Sequence, residues 1–236
     1  MLASSAMTTA EAMTAPLSGI VTTKEDVQAF ANACVLLRSR WQHFRILFEG
    51  SDLKRELLQT TAPTFFDDLN YLLTEHLVLH ICRLTDNAQT MGRKNLTVKF
   101  LIEHSDFSAT PDMLGKLKRI RASIDAFRQK ILPARNRFIS HLDLEAVRLD
   151  QPLGAVTDAE WNQFWLDLQD FLESMFQHHV GPSEHFCLND IGMMSDADSL
   201  LTTLRNAKLF DAVMDDGEIA SRALRAANTS KFAGDL

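Results

Sequence analysis

The residues most able to do chemistry together lie in the segment from Ala134 to Asp143. Arg135, Asn136 and His141 fall there within seven positions, with no acidic residue between them. Arginine keeps its charge and offers a planar fork of donors that fits a phosphate, while histidine transfers protons near neutral pH. This combination favours chemistry on a phosphodiester. The same residue types are also common on the solvated face of an amphipathic helix, so the segment alone leaves both interpretations open.

The spacing of Arg135 and His141 limits how the two side chains can act together. Six residues along an α-helix place them about 120° apart around the axis and about 9 Å apart along it. A straight helix therefore does not direct both at one phosphate. Either Pro133 bends or restarts the helix just before Arg135, or two copies of the chain meet across a two-fold axis and pool their residues.

A run of positive charge surrounds these residues. Between Lys116 and His141 there are eight lysines and arginines and one acid, a net charge of +7, whereas the whole chain of 236 residues carries −7. A local field of this sign can attract a polyanion. Alternatively, this basic helix pairs with acidic helices of the same molecule. The candidate substrate-binding side chains are Arg121, Arg128, Lys130 and Arg137.

Helical patterns predict the elements that must position these residues. Apolar residues recur every three or four positions along most of the chain, and no alternating strand pattern is present. Capping boxes at Thr23 and Thr157, and first-turn prolines at Pro63 and Pro111, mark the starts of four long helices. The sequence predicts an all-α helical bundle of four to five long helices with a C-terminal helical appendage. The expected divisions are a loose leader over 1–23, the bundle over 24–190, and an acidic helix with a tail over 191–236.

Composition excludes several function classes. Hydrophobic residues make up 46% of the chain, but no run of 18 or more apolar residues could span a bilayer. The first 23 residues lack both the basic start and the unbroken apolar stretch of a secretory signal. Cys34, Cys82 and Cys187 are widely separated and odd in number, which favours reduced thiols over a disulfide framework or a zinc knuckle. We therefore expect a cytoplasmic protein with no membrane partner.

Two histidines on the helix that begins at Pro63 raise the question of a metal. His76 and His80 are four residues apart, so both imidazoles point the same way, as a metal site needs. In the zincin pattern a glutamate follows the first histidine, whereas here Glu75 precedes it, and no third ligand is marked. Hydrogen-bonded histidines on a partly buried face are the favoured interpretation, and no metal or cofactor is predicted.

Charged residues at the end of the same helix are candidate supporting residues. Arg83 and Asp86 are three apart and can form a surface ion pair across one turn. Alternatively, Asp86 or Glu75 accepts a hydrogen bond from Arg135 or His141 and fixes its orientation.

The ordered set of motifs resembles a known family. An arginine, a polar residue, four further residues and a histidine, on the helix after a long amphipathic helix, resemble the R-x(4–6)-H signature of the HEPN superfamily. The full run from Arg135 to Asp143 is similar to the abortive-infection U branch, and the resemblance spans roughly residues 25 to 180. Ser140, where a smaller alanine is expected, and Pro133 are departures from the pattern. The other similar segments are Arg83–Asp86, Asn95–Val98 and Trp161–Phe171.

The resemblance implies a bundle that dimerises with its motifs facing each other, often as a metal-independent endoribonuclease. His141 would then act as general acid or base for attack of the ribose 2′-hydroxyl on the adjacent phosphate, Arg135 would neutralise the phosphate, and Asn136 would position the backbone or the histidine. DNA, which lacks the 2′-hydroxyl, should not be cut. The implied supporting residues are Asp86, Arg83, Glu75 and Asp143.

The resemblance also implies biological roles and partners. Many members are toxins or phage-defence components, so RNA, a second copy of the chain and an antitoxin protein are the expected partners. Other members only bind a nucleotide, RNA or a protein, and a non-catalytic module of that kind is the alternative.

Overall fold

Helices make up nearly all the regular structure. The computed structural model describes residues 20–136, 156–188, 195–215, 217 and 221–222. Within them, no helix combines the length and apolarity needed to cross a membrane. The all-α prediction is confirmed. The described helices are α1 (Lys24–Phe48), α2 (Asp52–Thr61), α3 (Pro63–Leu84), α4 (Val98–Glu103), α5 (Pro111–Ala134), α6 (Asp158–His179) and α7 (Ser195–Asp215), and the strands are β1 (Gln89–Thr90) and β2 (Arg93–Lys94).

Local sequence signals set the starts of the two helices with capping boxes. The Thr23 side chain accepts a hydrogen bond from the Asp26 N–H, and the Asp26 carboxylate accepts from the Thr23 N–H. Thr157 and Glu160 make the same reciprocal pair at the start of α6. Each box satisfies N–H groups that a helix start leaves without helical partners. Thr22, which the sequence places in the leader, is buried, and its N–H donates to the His104 carbonyl oxygen at 2.8 Å.

The main core lies between the four long helices α1, α3, α5 and α6. Aromatic side chains join these helices in pairs: the Trp41 and Trp161 rings stack with centroids 4.1 Å apart, and Phe127 stacks on Phe164 at 4.6 Å. The first pair joins α1 to α6, and the second joins α5 to α6. The end of α5 that carries Arg135 is therefore held by aromatic packing against α6.

A second apolar cluster joins the C-terminal helix to the bundle. Ala197 and Leu201 of α7 pack with Leu47 of α1, Leu58 of α2 and Phe66 of α3. The predicted C-terminal helix thus lies against the side of the bundle formed by α1 and α2.

The connection between α3 and α4 contains a small antiparallel ribbon that the sequence pattern did not predict. Gln89 pairs with Lys94, and the turn residues Met91 and Gly92 both have positive φ, 48° and 77°. Strands of two residues are too short to show alternation. The Asn95 side chain donates to the Asn87 carbonyl oxygen at 3.0 Å and so holds the base of the ribbon beside the end of α3.

Candidate functional site

Arg135 lies at the carboxyl end of α5, where a proline interrupts the hydrogen bonding without ending the helix. Pro133 has no N–H to donate, yet helical backbone continues through it. Arg135 and Asn136 then have π-helical backbone, and the Arg135 N–H donates to the carbonyl oxygens of Ile131 and Leu132, four and three residues earlier. Of the two alternatives that the sequence predicts at Pro133, the restart of the helix is therefore wrong, and the bend stays a prediction. The pooling of residues from two copies is left as a proposal.

The Arg135 side chain borders a pocket between the ends of α3 and α5. The pocket has a volume of about 350 Å³ and is partly open to solvent. We call it the α3–α5 pocket. It is lined by His76, Leu79, His80, Cys82, Arg83, Asp86, Arg128 and Arg135.

The acid of this pocket is tied to α5. The Asp86 carboxylate accepts a hydrogen bond from Arg128 at 3.2 Å, and the same oxygen accepts from the Asn87 N–H at 2.9 Å. Asp86 therefore pairs across the pocket with Arg128, and not with Arg83 one turn earlier as the spacing predicts. Within the described residues, Asp86 also makes no contact that would orient Arg135. The pair joins the end of α3 to α5 and so shapes the pocket.

His76 and His80 of α3 also line the pocket, beside Arg83. Their ring centroids are 3.9 Å apart, and the His76 Nε2 accepts a hydrogen bond from the Arg40 guanidinium on α1. Burial lowers the pKa of His76, and the charges of Arg40 and Arg83 lower it further. Burial, His76 and the same two arginines lower the pKa of His80 to about 4. Both imidazoles are therefore neutral at pH 7.

A protein-family model matches most of the chain. A family model described as AbiU2, of the HEPN type, matches residues 22–192. The chain belongs to this AbiU2 family. The match covers α1 to α6 together with the ribbon, and α7 lies beyond it. No curated protein and no solved structure was found to match the chain.

The motif predicted from the sequence, Arg135 to His141, is only partly within the described residues. Arg135 and Asn136 are described, and the Asn136 side-chain oxygen accepts a hydrogen bond from Arg135 at 2.9 Å. Arg137, His141 and Asp143 lie outside the described residues. The structure thus places the arginine of the motif in the α3–α5 pocket, and the role of the histidine is a proposal.

Three of the predicted substrate-binding cations are engaged by acids of the same chain. Arg128 holds Asp86, and Lys130 pairs with Glu160 at the start of α6. Arg121 lies 3.4 Å from the Asp125 carboxylate and 3.7 Å from that of Glu103 on α4. For these side chains, the arrangement favours the alternative in which the basic helix pairs with acids of its own molecule.

The pairing of Glu160 gives a pH dependence. Hydrogen bonds from Lys130 and Thr157 lower the pKa of Glu160 from 4.5 to about 2. A carboxyl group whose pKa is lowered by folding stabilises the folded state above its unfolded pKa, and this contribution disappears as the pH falls toward the folded pKa. We expect thermal stability to fall more steeply between pH 4.5 and pH 2 in the wild type than in Glu160→Gln.

Thermal denaturation at a series of pH values measures this difference. Lys130→Gln is the matched variant, because it removes the largest cause of the shift and should also give a shallower acid slope. Equal slopes for the wild type and Glu160→Gln would contradict the interaction.

The pocket also contains a thiol. Burial raises the pKa of Cys82, and the nearby charges of Arg128 and Arg135 only partly offset this effect. The thiol is therefore protonated at neutral pH and is not a candidate nucleophile. Cys34, Cys82 and Cys187 are all free.

Sequence reasoning missed part of this site. The sequence predicts His76 and His80 as hydrogen-bonded histidines on a partly buried face, with a metal pair as the alternative, and it does not group them with Arg135. Glu75, predicted as a supporting residue, does not line the pocket. Within the described part of the chain, no group of three histidine, cysteine, aspartate or glutamate residues could hold a metal ion. The spacing of His76, His80 and Arg83 on one face of α3 is a signal that could have grouped them. Arg40 comes from α1, and no local pattern links it to them.

Proposed function

We propose that this AbiU2-family protein is a metal-independent endoribonuclease that acts on cytoplasmic RNA as a homodimer, in a toxin or phage-defence role. The observation that carries the proposal is the position of Arg135. Its guanidinium contacts only the neutral Asn136 amide within the described residues, in a pocket where three arginines face a single acid. An arginine without a carboxylate partner is available to bind a phosphate.

The proposed mechanism uses the motif residues on one phosphodiester. His141 accepts or donates the proton as the ribose 2′-oxygen forms a bond to phosphorus and the 5′-oxygen leaves, giving a 2′,3′-cyclic phosphate and a 5′-hydroxyl. Arg135 neutralises the charge that develops on the phosphate oxygens. Asn136 holds the Arg135 guanidinium through its side-chain oxygen. Asp86 and Arg128 fix the pocket wall without contacting the substrate.

One face of α3 supports the proposed dimer. Phe65 and Leu72 are both 59% exposed, and they fall on the same helical face as His76, Leu79 and Arg83, within about 40° of one line along the axis. This face is apolar in its first half and ends at the α3–α5 pocket. A second copy packed on it across a two-fold axis would bring two pockets close together. An antitoxin that covers the same face is the proposed protein partner.

Cleavage of defined RNA in EDTA tests the proposed function. The purified full-length protein should cut single-stranded RNA, leave DNA of the same sequence intact, and leave a 2′-O-methyl copy intact because its 2′-oxygen cannot attack. The products should carry 2′,3′-cyclic phosphates. Intact RNA, under conditions in which a metal-independent control nuclease is active, would contradict the proposal. Tight RNA or nucleotide binding without turnover would instead identify the non-catalytic module.

A further inference from the structure

The α3–α5 pocket has more positive charge than one scissile phosphate needs. Arg128 is neutralised by Asp86, and Arg135 is the arginine of the motif. Arg83 is a further cation of the pocket lining, and it forms no ion pair with a carboxylate of the described residues. Arg40 lies outside the lining and donates a hydrogen bond to His76. A concave site lined by Arg83 and Arg135, neither paired with a carboxylate of the described residues, favours an anion. Its volume of about 350 Å³ is typical of small-ligand sites.

The histidine pair distinguishes this site from a simple basic patch. His76 already uses its Nε2 to accept a hydrogen bond from Arg40, whereas His80 makes no hydrogen bond to the described residues. His80 lines the pocket beside Arg83. A neutral imidazole that gains a proton becomes a further donor for phosphate oxygens. His80 is therefore the group that can respond to an anion.

We propose that Arg83 and His80 form a second phosphate-binding subsite next to Arg135, and that His80 takes up a proton as the phosphate binds. The subsite rests on the proposed function in one respect, since it takes the phosphate next to the one held by Arg135 on the same RNA strand. The ligand chemistry is a phosphoryl group, which either a strand phosphodiester or the terminal phosphate of a nucleotide can supply.

The charges around His80 explain the coupling to a proton. On its own helix it faces His76 and Arg83, and α1 adds Arg40; these groups and burial hold its pKa near 4. From the α5 side come Arg128 and Arg135, and Asp86, the acid of the pocket lining, is occupied by Arg128. A bound phosphate would be the dominant negative charge and would raise the pKa of His80. By linkage, binding should then strengthen as the pH falls.

Calorimetry with a non-cleavable strand tests the subsite. The probe is a 2′-O-methyl oligouridine without terminal phosphates, which has no group titrating between about pH 5.5 and 7.5. It is added to the full-length protein in EDTA, in buffers with different ionisation enthalpies at constant salt. We expect tighter binding at the lower pH and a heat that depends on the buffer in the direction of proton uptake.

Three variants make the test specific. His80→Gln should bind with less proton uptake than the wild type, and Arg83→Gln should bind more weakly, with the slope of log K against log salt reduced by about 0.7. Arg119→Gln is the matched control, because Arg119 is an exposed arginine of α5 that does not line the pocket, and it should retain proton uptake. Circular dichroism checks that each variant is folded.

Two further probes identify the phosphate source. Inorganic phosphate and adenosine 5′-monophosphate carry terminal phosphates, and each is compared between the wild type and His80→Gln because the probes themselves titrate. His80-dependent proton uptake with any probe supports the subsite. Among the probes that show it, the one that binds with the highest affinity identifies the source of the phosphate. No binding of any probe, or equal proton uptake in the wild type and His80→Gln, would overturn it. RNA cleavage with proton-independent binding would overturn the subsite alone, whereas proton-coupled binding without cleavage would overturn only the endoribonuclease.

Discussion

Replacing Arg135 by alanine should reduce the rate of RNA cleavage by about 100- to 1000-fold, the usual cost of removing one donor that stabilises transition-state charge. The fold should be unaffected. The described contact of the Arg135 side chain is the Asn136 amide next to it, and the Asp86–Arg128 pair that joins α3 to α5 does not involve it. Initial rates on a labelled RNA, with circular dichroism of the same samples, measure both quantities.

The matched control for this prediction is Arg119→Ala. It removes the same charge from an exposed position on α5 and should change the rate by less than about threefold, because a distant charge acts only through the screened field. His141→Ala should cost about 100- to 10,000-fold, as expected for a general acid or base. The double variant Arg135→Ala/His141→Ala should have a cleavage rate only slightly lower than that of the less active single variant, since the two residues act in one step. Equal cleavage rates for Arg135→Ala and Arg119→Ala would show that Arg135 has no role in the mechanism.

The start of each long helix could be predicted because the signals are local. Thr23 and Thr157 cap helices through contacts three residues away, and Pro63 and Pro111 are tolerated in the first turn. The predicted restart of the helix at Pro133 is wrong for a related reason. Proline removes one N–H from the hydrogen bonding of the helix, but α5 runs through Pro133 to Ala134, and the Arg135 N–H still donates to the carbonyl oxygens of Ile131 and Leu132.

The contents of the candidate site could be predicted only in part. Arg135 and Asn136 were found from spacing within one helix, and Arg83 and Asp86 from the motifs around them. The partner of Asp86 is Arg128, which is 42 residues away, and the Arg40–His76 contact spans 36 residues. Such pairs depend on how α1, α3 and α5 pack, and no local period encodes that packing.

The basic segment shows the same limit for charge. A net charge counted along the sequence treats every cation as free, but pairing depends on which acids the fold brings near. Lys130 is 30 residues from Glu160 and is paired with it, whereas Arg119 lies on the same helix and remains exposed. The field available to a polyanion is therefore smaller than +7 suggests.

Replacing Phe171 by alanine should lower the free energy of unfolding by about 3–5 kcal/mol, the usual cost of truncating a fully buried phenylalanine. The Phe171 side chain is 0% exposed and packs edge to face on Phe30 of α1, with ring centroids 5.8 Å apart. The variant would leave a cavity between α6 and α1 that neither helix can close without moving the other. Urea denaturation followed by circular dichroism measures the change.

Leu166→Ala is the matched control on the same helix, because Leu166 is 60% exposed and its truncation should change stability by no more than about 0.5 kcal/mol. A double-mutant cycle with Phe30→Ala should give a coupling of about 0.5–1.5 kcal/mol for the aromatic pair. If Phe171→Ala and Leu166→Ala lower the free energy of unfolding by the same amount, the assigned buried face of α6 would be wrong.

The buried face of α6 also carries Phe164, which stacks on Phe127 of α5, so the position of Arg135 depends on it. A loss of 3–5 kcal/mol is a large part of a typical total of about 5–15 kcal/mol. Cleavage by Phe171→Ala should therefore fall only under conditions in which the variant is partly unfolded, and should return there when an osmolyte stabilises the protein.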